Sequence, residues 1–396
     1  MSLAPIVSCG GDDTNPDFTS DAGQLDSGTQ DGSAGGNDAS ADGSDSGPKC
    51  GAGVAGEPVS APANAWTWVD VPDVKCRNGS ASGFGVRLKP GSKKLFIYLQ
   101  GGGACFNNLT CSVNPTSFGT GDFDGWKSTQ GGTGIMSDTN AANPVKDWNA
   151  VFLPYCSGDI FGGSAPSSNV PSGPQGQTFT GATNMLAYLK RIVPTFPEVD
   201  QVLLTGSSAG GFGAAVNYDR VAQAFCPRPV VLVDDAGPVM SDTYLPPCLQ
   251  KRFRDVWNLN AGLPAGCTNC SDPVTSGGLV NVLPHLASKY PQGRFGLVSA
   301  DQDSTIRFFM SFGNDNCQNI DGFPSDYAGP KFSQGLAELR DTYLKPTAIA
   351  GTYYVPGTTH TFLGTDTFYS TTVQNVTLPN WIAALLKGDP PTNVGP

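Results

Sequence analysis

The chain has 396 residues, with 51 Gly, 32 Pro and only 14 % charged residues, where a soluble domain typically carries about 25 %. The net charge of −11 and the lack of any Lys or Arg block leave no electrostatic footprint for nucleic acid. No run of about 18 apolar residues occurs, so the chain as written contains no transmembrane helix.

The first nine residues end in Ile6-Val7-Ser8-Cys9, followed by Gly10-Gly11. This resembles a bacterial lipobox, with Cys9 as the lipidated residue. The stretch is too short for a signal peptide and has no positive n-region, so a leader ahead of Met1 is expected. Residues 10–48 hold nine Asp and no Lys or Arg in a Gly, Ser and Ala background. Such a segment cannot bury enough apolar surface to offset chain entropy, and it reads as a disordered acidic tether. A folded body over residues 49–396 follows, near neutral in charge and without a second linker or internal repeat. The body carries ten of the eleven cysteines, an even number that points to disulfides formed in an oxidising compartment. Cys267 and Cys270 have the spacing of a zinc half-site, but no second pair and only two His accompany them, so a disulfide is the simpler assignment.

Within the body, apolar runs at 94–99, 150–154, 201–205, 229–233, 294–299 and 351–355 are short and β-rich, as buried parallel strands are. Helical stretches at 183–192, 210–224, 305–312, 334–343 and 378–387 alternate with them. The pattern predicts an α/β fold, a mostly parallel sheet with helices on both faces and disulfide bonds. Its ligand site belongs at the carboxyl ends of the strands.

Gly206-Ser207-Ser208-Ala209-Gly210 is G-x-S-x-G directly after a predicted strand and directly before a predicted helix, the context of a nucleophile elbow. Ser208 is the candidate nucleophile, and Ser207 is its supporting neighbour. A serine hydroxyl needs a base. Of the two histidines, His360 follows the last strand in a loop, whereas His285 lies in an apolar helical segment; His360 is the candidate. The acid is sought in the loop after the strand ending at Ser299, where Asp303 is preferred over Asp301. Ser208, Asp303 and His360 then run in the chain order of α/β-hydrolases. Gln100-Gly-Gly-Gly-Ala-Cys105 after another strand resembles an HGGG turn, which makes Gly102, Gly103 and the amide of Ala209 candidate oxyanion donors. As a phosphate loop it lacks the Lys-Ser or Lys-Thr ending.

Five ordered motifs, Cys76-Arg-Asn-Gly-Ser-Ala-Ser-Gly-Phe84, Leu99-Gln-Gly-Gly-Gly-Ala-Cys105, Tyr155-Cys-Ser-Gly-Asp-Ile-Phe-Gly-Gly163, Gly206-Ser-Ser-Ala-Gly-Gly211 and Asp235-Ala-Gly237, resemble the pectin acetylesterase family, which includes the Wnt deacylase Notum; the chain looks like a bacterial member. The resemblance implies an α/β-hydrolase carboxylesterase that needs no metal or cofactor. It places nucleophile, acid and base on Ser208, Asp303 and His360 and oxyanion donors on Gly102, Gly103 and Ala209. It also implies a Cys105 to Cys111 disulfide. Notum-like members carry a bulky aromatic where this chain has Gly103.

The expected function is a secreted or surface-anchored serine esterase that removes acetyl groups from a pectin-like polysaccharide. Its partners are an acylated substrate and, through a lipid on Cys9, a membrane. The alternatives are a polyester or lipid-ester depolymerase with the same triad and a non-catalytic surface binding protein. Trp66, Trp68, Trp126 and Phe161 are candidates for contact with carbohydrate.

Overall fold

A computed structural model describes Cys50 and residues 54–396. The expected tether and Cys9 lie outside the described residues. An eight-stranded sheet forms from β1 (Thr67–Lys75), β2 (Ala81–Arg87), β3 (Lys94–Leu99), β4 (Asn149–Leu153), β5 (Gln201–Ser207), β6 (Val230–Asp235), β7 (Arg294–Ala300) and β8 (Ala350–Val355), in the order β1-β2-β4-β3-β5-β6-β7-β8. Pairings from β4 through β8 are parallel, and β1 with β2 and β2 with β4 are antiparallel.

The apolar runs are continuous because both faces of the sheet are covered. Along β3, Leu95, Ile97 and Leu99 enter one core cluster while Phe96 and Tyr98 enter the other. In β5, Val202 and Leu204 face the first cluster and Leu203 the second. This is the two-residue alternation of a strand, with no polar side to show in the sequence.

The helices that matter here are α1 (Gly181–Thr195), α2 (Ala209–Phe225), α3 (Pro247–Trp257), α4 (Val282–Lys289), α5 (Ser304–Ser311), α6 (Gly329–Glu338) and α7 (Leu378–Lys387). Helix α1 buries Met185, Tyr188, Leu189 and Ile192, one stripe at helical spacing, in the first cluster. Helix α7 buries Trp381, Ile382 and Leu385 in the second. It starts where the Thr377 side chain accepts from the Asn380 amide and stops at Gly388 in the left-handed region, φ 83°.

Four elements differ from the sequence reading. Strands β1 and β2 were not anticipated. Pro72 lies in β1, at the sheet edge where a missing donor is tolerated, and the β1–β2 register shifts between Val71 and Lys75. In β2, Gly83 and Gly85 are poor strand formers, kept because Val69 and Trp68, and the Phe123 ring, occupy the space a Cβ would need. Helix α3 was also absent, although Leu249, Phe253 and Trp257 stand four apart along one face. The stretch expected as a helix over 334–343 begins at Gly329, and after Glu338 it widens into a π turn over Leu339–Leu344.

All ten cysteines of the body are paired: Cys50–Cys226, Cys76–Cys156, Cys105–Cys111, Cys248–Cys317 and Cys267–Cys270. Cys267 and Cys270 thus bond to each other and form no zinc half-site.

Candidate active site

Strand β5 ends at Ser207 and α2 starts at Ala209, which leaves one residue to turn the chain. Ser208 does so at φ 59° and ψ −122°, a conformation that costs a non-glycine residue about 1–3 kcal/mol and marks functional sites. Its amide donates to the Asp235 carbonyl at 2.7 Å, which pins the elbow to β6. The flanking glycines are required by contact. A Cβ on Gly206 would meet the Gly210 carbonyl, and one on Gly210 would collide with the Leu99 carbonyl at the end of β3. Alanine within a helix is ordinarily about 1 kcal/mol better than glycine. Gly210→Ala is nevertheless expected to destabilise the protein by about 2 kcal/mol or more, through overpacking, read as a lower midpoint in urea unfolding.

The glycine turn after β3 lies directly against this elbow. A Cβ on Gly101 would stand 3.0 Å from the Ser208 Cβ, and one on Gly102 would stand 2.7 Å from the Tyr155 ring. Gly103 has φ 77°, and the Phe309 ring closes over it, 3.0 Å from where a Cβ would be. Among the described residues, the amides of Gly102, Gly103 and Ala209 donate to no protein acceptor. The three N–H groups, in the turn and the elbow that meet at Ser208, are thus left without a protein acceptor. The turn is braced from behind by the Cys105–Cys111 disulfide, by the Cys105 amide bonded to the Gly158 carbonyl at 2.7 Å, and by the Trp257 indole bonded to the Cys105 carbonyl at 2.8 Å.

The loops after β7 and β8 are laced together. Amides of Asp301, Gln302 and Ser304 donate to the carbonyls of Val355, Gly357 and Thr358 at 2.9, 3.0 and 3.2 Å. This brings His360 Nδ1 to 2.8 Å from Asp303 Oδ2. The other oxygen of Asp303 caps α5, accepting from the Thr305 and Ile306 amides at 2.9 Å each, so the fully buried carboxylate has fixed orientation. Asp301 instead accepts from the Gly357 amide at 2.7 Å and shapes the loop that carries His360. His285 lies elsewhere, on α4, with its ring against the Ala265 carbonyl at 3.2 Å.

Ser208 and His360 are linked through a residue not singled out as functional in the sequence. Asp235, at the end of β6, accepts from Ser207 Oγ at 2.6 Å, from the Leu363 amide at 2.9 Å and from the Phe362 amide. Ser207 Oγ in turn accepts from the Tyr98 hydroxyl at 3.0 Å. Burial pushes the Asp235 carboxyl up, and its bonds from Ser207, Leu363 and Phe362 pull it back.

Beside Ser208 opens a cavity of about 70 Å³ whose wall is carbon except for the site's own groups. Ile160, Phe212, Leu249, Trp257, Ile306 and Phe309 line it together with Gly103, Ser208 and Ala209. Ile160 is held there by the Tyr155 to Gly163 motif. Its amide donates to the Tyr155 hydroxyl at 2.8 Å, and the buried Asp159 ties Ser157, Phe161 and Gly181 into one turn. The aromatics considered for carbohydrate do not line this cavity. Trp126 and Phe161 are buried, and Trp66 and Trp68 pack against the cluster on the opposite face of the sheet. Among the described residues, no three His, Cys, Asp or Glu side chains converge to hold a metal.

With the geometry in place, comparison with known proteins assigns the family. The family model described as Pectinacetylesterase matches residues 64–290, which include the glycine turn, the Ser208 elbow and Asp235. The chain belongs to the pectinacetylesterase family. Asp303 and His360 lie beyond the matched stretch. The chain is 37 % identical over 154 residues to palmitoleoyl-protein carboxylesterase notum2 of Xenopus laevis and 35 % identical over 154 residues to NOTUM of Homo sapiens. Each match spans 38 % of this chain and 30 % of the relative's length. The crystal structure of the Wnt deacylase Notum from Drosophila superimposes with a TM-score of 0.60, at 21 % identity, over 81 % of this chain and 92 % of that one. The fold is therefore the α/β-hydrolase fold of Notum.

Proposed function

We propose that this pectinacetylesterase-family protein is a serine carboxylesterase acting through an acyl-enzyme on Ser208. The observation that carries the reading is His360 Nδ1 held 2.8 Å from the capped Asp303 carboxylate, on a loop tied to the Ser208 elbow. Ser208 Oγ attacks the ester carbonyl and passes its proton to His360 Nε2, while Asp303 fixes the tautomer and stabilises the imidazolium. The amides of Gly102, Gly103 and Ala209 receive the oxyanion. His360 returns the proton to the leaving alkoxide, then activates the water that releases the acid. A binding protein without catalysis would have no use for this set.

The cavity speaks for an acyl group longer than acetyl. A volume of about 70 Å³ accommodates roughly five to seven water-sized groups at ~10–15 Å³ each, and a methylene needs about as much room as a water. An apolar wall holds carbon better than water, and each buried CH₂ contributes ~0.8 kcal/mol, about fourfold in kcat/KM. On 4-nitrophenyl esters, butyrate is therefore expected to exceed acetate by about 15-fold in kcat/KM, with the gain levelling off near octanoate as the cavity fills. The family's name supports the second reading, deacetylation of a pectin-like polysaccharide, and a preference for acetate over butyrate would decide for it.

The five disulfides support export to an oxidising compartment. Surface attachment through a lipid on Cys9 belongs to the same proposal, and loss of membrane association in Cys9→Ala cells checks it.

A further inference from the structure

We propose that Asp235 is a positioning residue that sets His360 against Ser208, so that its carboxylate governs the rate of acylation without touching substrate. The inference rests on the esterase reading above. Asp235 is fully buried, at the carboxyl end of β6, between the two reacting loops. Its carbonyl holds the Ser208 amide at 2.7 Å, and its carboxylate holds the hydroxyl of Ser207 at 2.6 Å, so the nucleophile's turn is fixed from both sides. The same carboxylate takes the amides of Phe362 and Leu363, two and three residues past His360. Between His360 and Phe362, Thr361 turns at φ 65°, a backbone state for which a β-branched residue needs outside support. The carboxylate supplies that support from a residue more than a hundred positions away in sequence.

Packing alone does not account for an acid here. A buried carboxylate is costly to desolvate, and it is retained where several donors converge that no apolar group could satisfy. Asparagine at 235 would turn an N–H₂ toward donors and leave the amides of the His360 loop short of an acceptor. A shift of about 1 Å in a catalytic group can cost about 100-fold in rate. The adjacent Asp234 serves as the internal control: it is equally buried, yet has no partner on the His360 loop.

The test uses the full chain and its Asp235→Asn, Asp234→Asn, Ser207→Ala and Ser208→Ala variants. A fluorophosphonate counts reactive Ser208 sites, and hydrolysis of 4-nitrophenyl butyrate gives kcat per site and KM. In Asp235→Asn the full complement of sites is expected to label, more slowly, with kcat per site down about 30- to 100-fold and KM within about twofold. Asp234→Asn should match the parent per site. A fall in the number of sites with an unchanged rate per site would reduce Asp235 to a folding role and overturn the proposal, as would an unchanged variant. If Asp235→Asn does not fold, Ser207→Ala decides, because it removes one donor from the same carboxylate. A rate per site three- to tenfold lower supports the proposal, and a parental rate overturns it. An inactive parent chain that fails to label would instead refute the esterase reading itself.

Discussion

Ser208→Ala is expected to lower kcat toward 4-nitrophenyl butyrate by about 10⁵- to 10⁶-fold, the effect of deleting the nucleophile of an acyl-transfer triad. The magnitude follows from the division of labour in the site. The free amides of Gly102, Gly103 and Ala209 and the apolar cavity persist in the variant, so residual hydrolysis above the uncatalysed rate should remain. The covalent route itself is lost. The fold should tolerate the change, because Ser208 has no side-chain hydrogen bond among the described residues and its amide bond to Asp235 stays in place. A variant as active as the parent would remove Ser208 from the mechanism; the measurement is steady-state kinetics beside a thermal melt.

Asp303→Asn should reduce kcat by about 10⁴-fold, because an amide at Nδ1 favours the wrong imidazole tautomer and cannot stabilise the imidazolium. The prediction is sharper here than for a generic triad acid. Asp303 has a second task, capping α5 through the Thr305 and Ile306 amides, and asparagine caps helices about as well as aspartate. Stability should therefore hardly move while catalysis collapses. Asp301→Asn is the contrast, since asparagine still accepts from Gly357 and does not face the imidazole. Its kcat should stay within about tenfold of the parent, well short of the loss expected for a member of the triad. If Asp301→Asn were the inactive variant and Asp303→Asn the active one, the acid would be reassigned.

Local chemistry is what the sequence by itself determined. The six parallel strands were legible because a strand covered on both faces must be apolar at nearly every position, as Leu95 to Leu99 and Val202 to Leu204 are. Ser208 was legible because a sharp turn between strand and helix demands small neighbours, and Gly206 and Gly210 supply them. His360 followed from having only one other histidine to weigh.

The tertiary structure decided whatever depends on residues far apart in the chain. Asp301 and Asp303 are both loop carboxylates two residues apart, and only the lacing of the β7 and β8 loops shows which one meets the imidazole. Strands β1 and β2 escaped notice because the glycines of β2 answer to Trp68 and Phe123, and the proline of β1 to the sheet edge, not to local preference. The cavity beside Ser208 collects Ile160, Trp257 and Phe309 from three distant segments, and apolar residues that line a cavity look in sequence like those that fill a core. Asp235 reads in sequence as the end of a buried strand. Its bonds to Ser207, Phe362 and Leu363 exist only because folding sets the sixth strand between the Ser208 turn and the His360 loop.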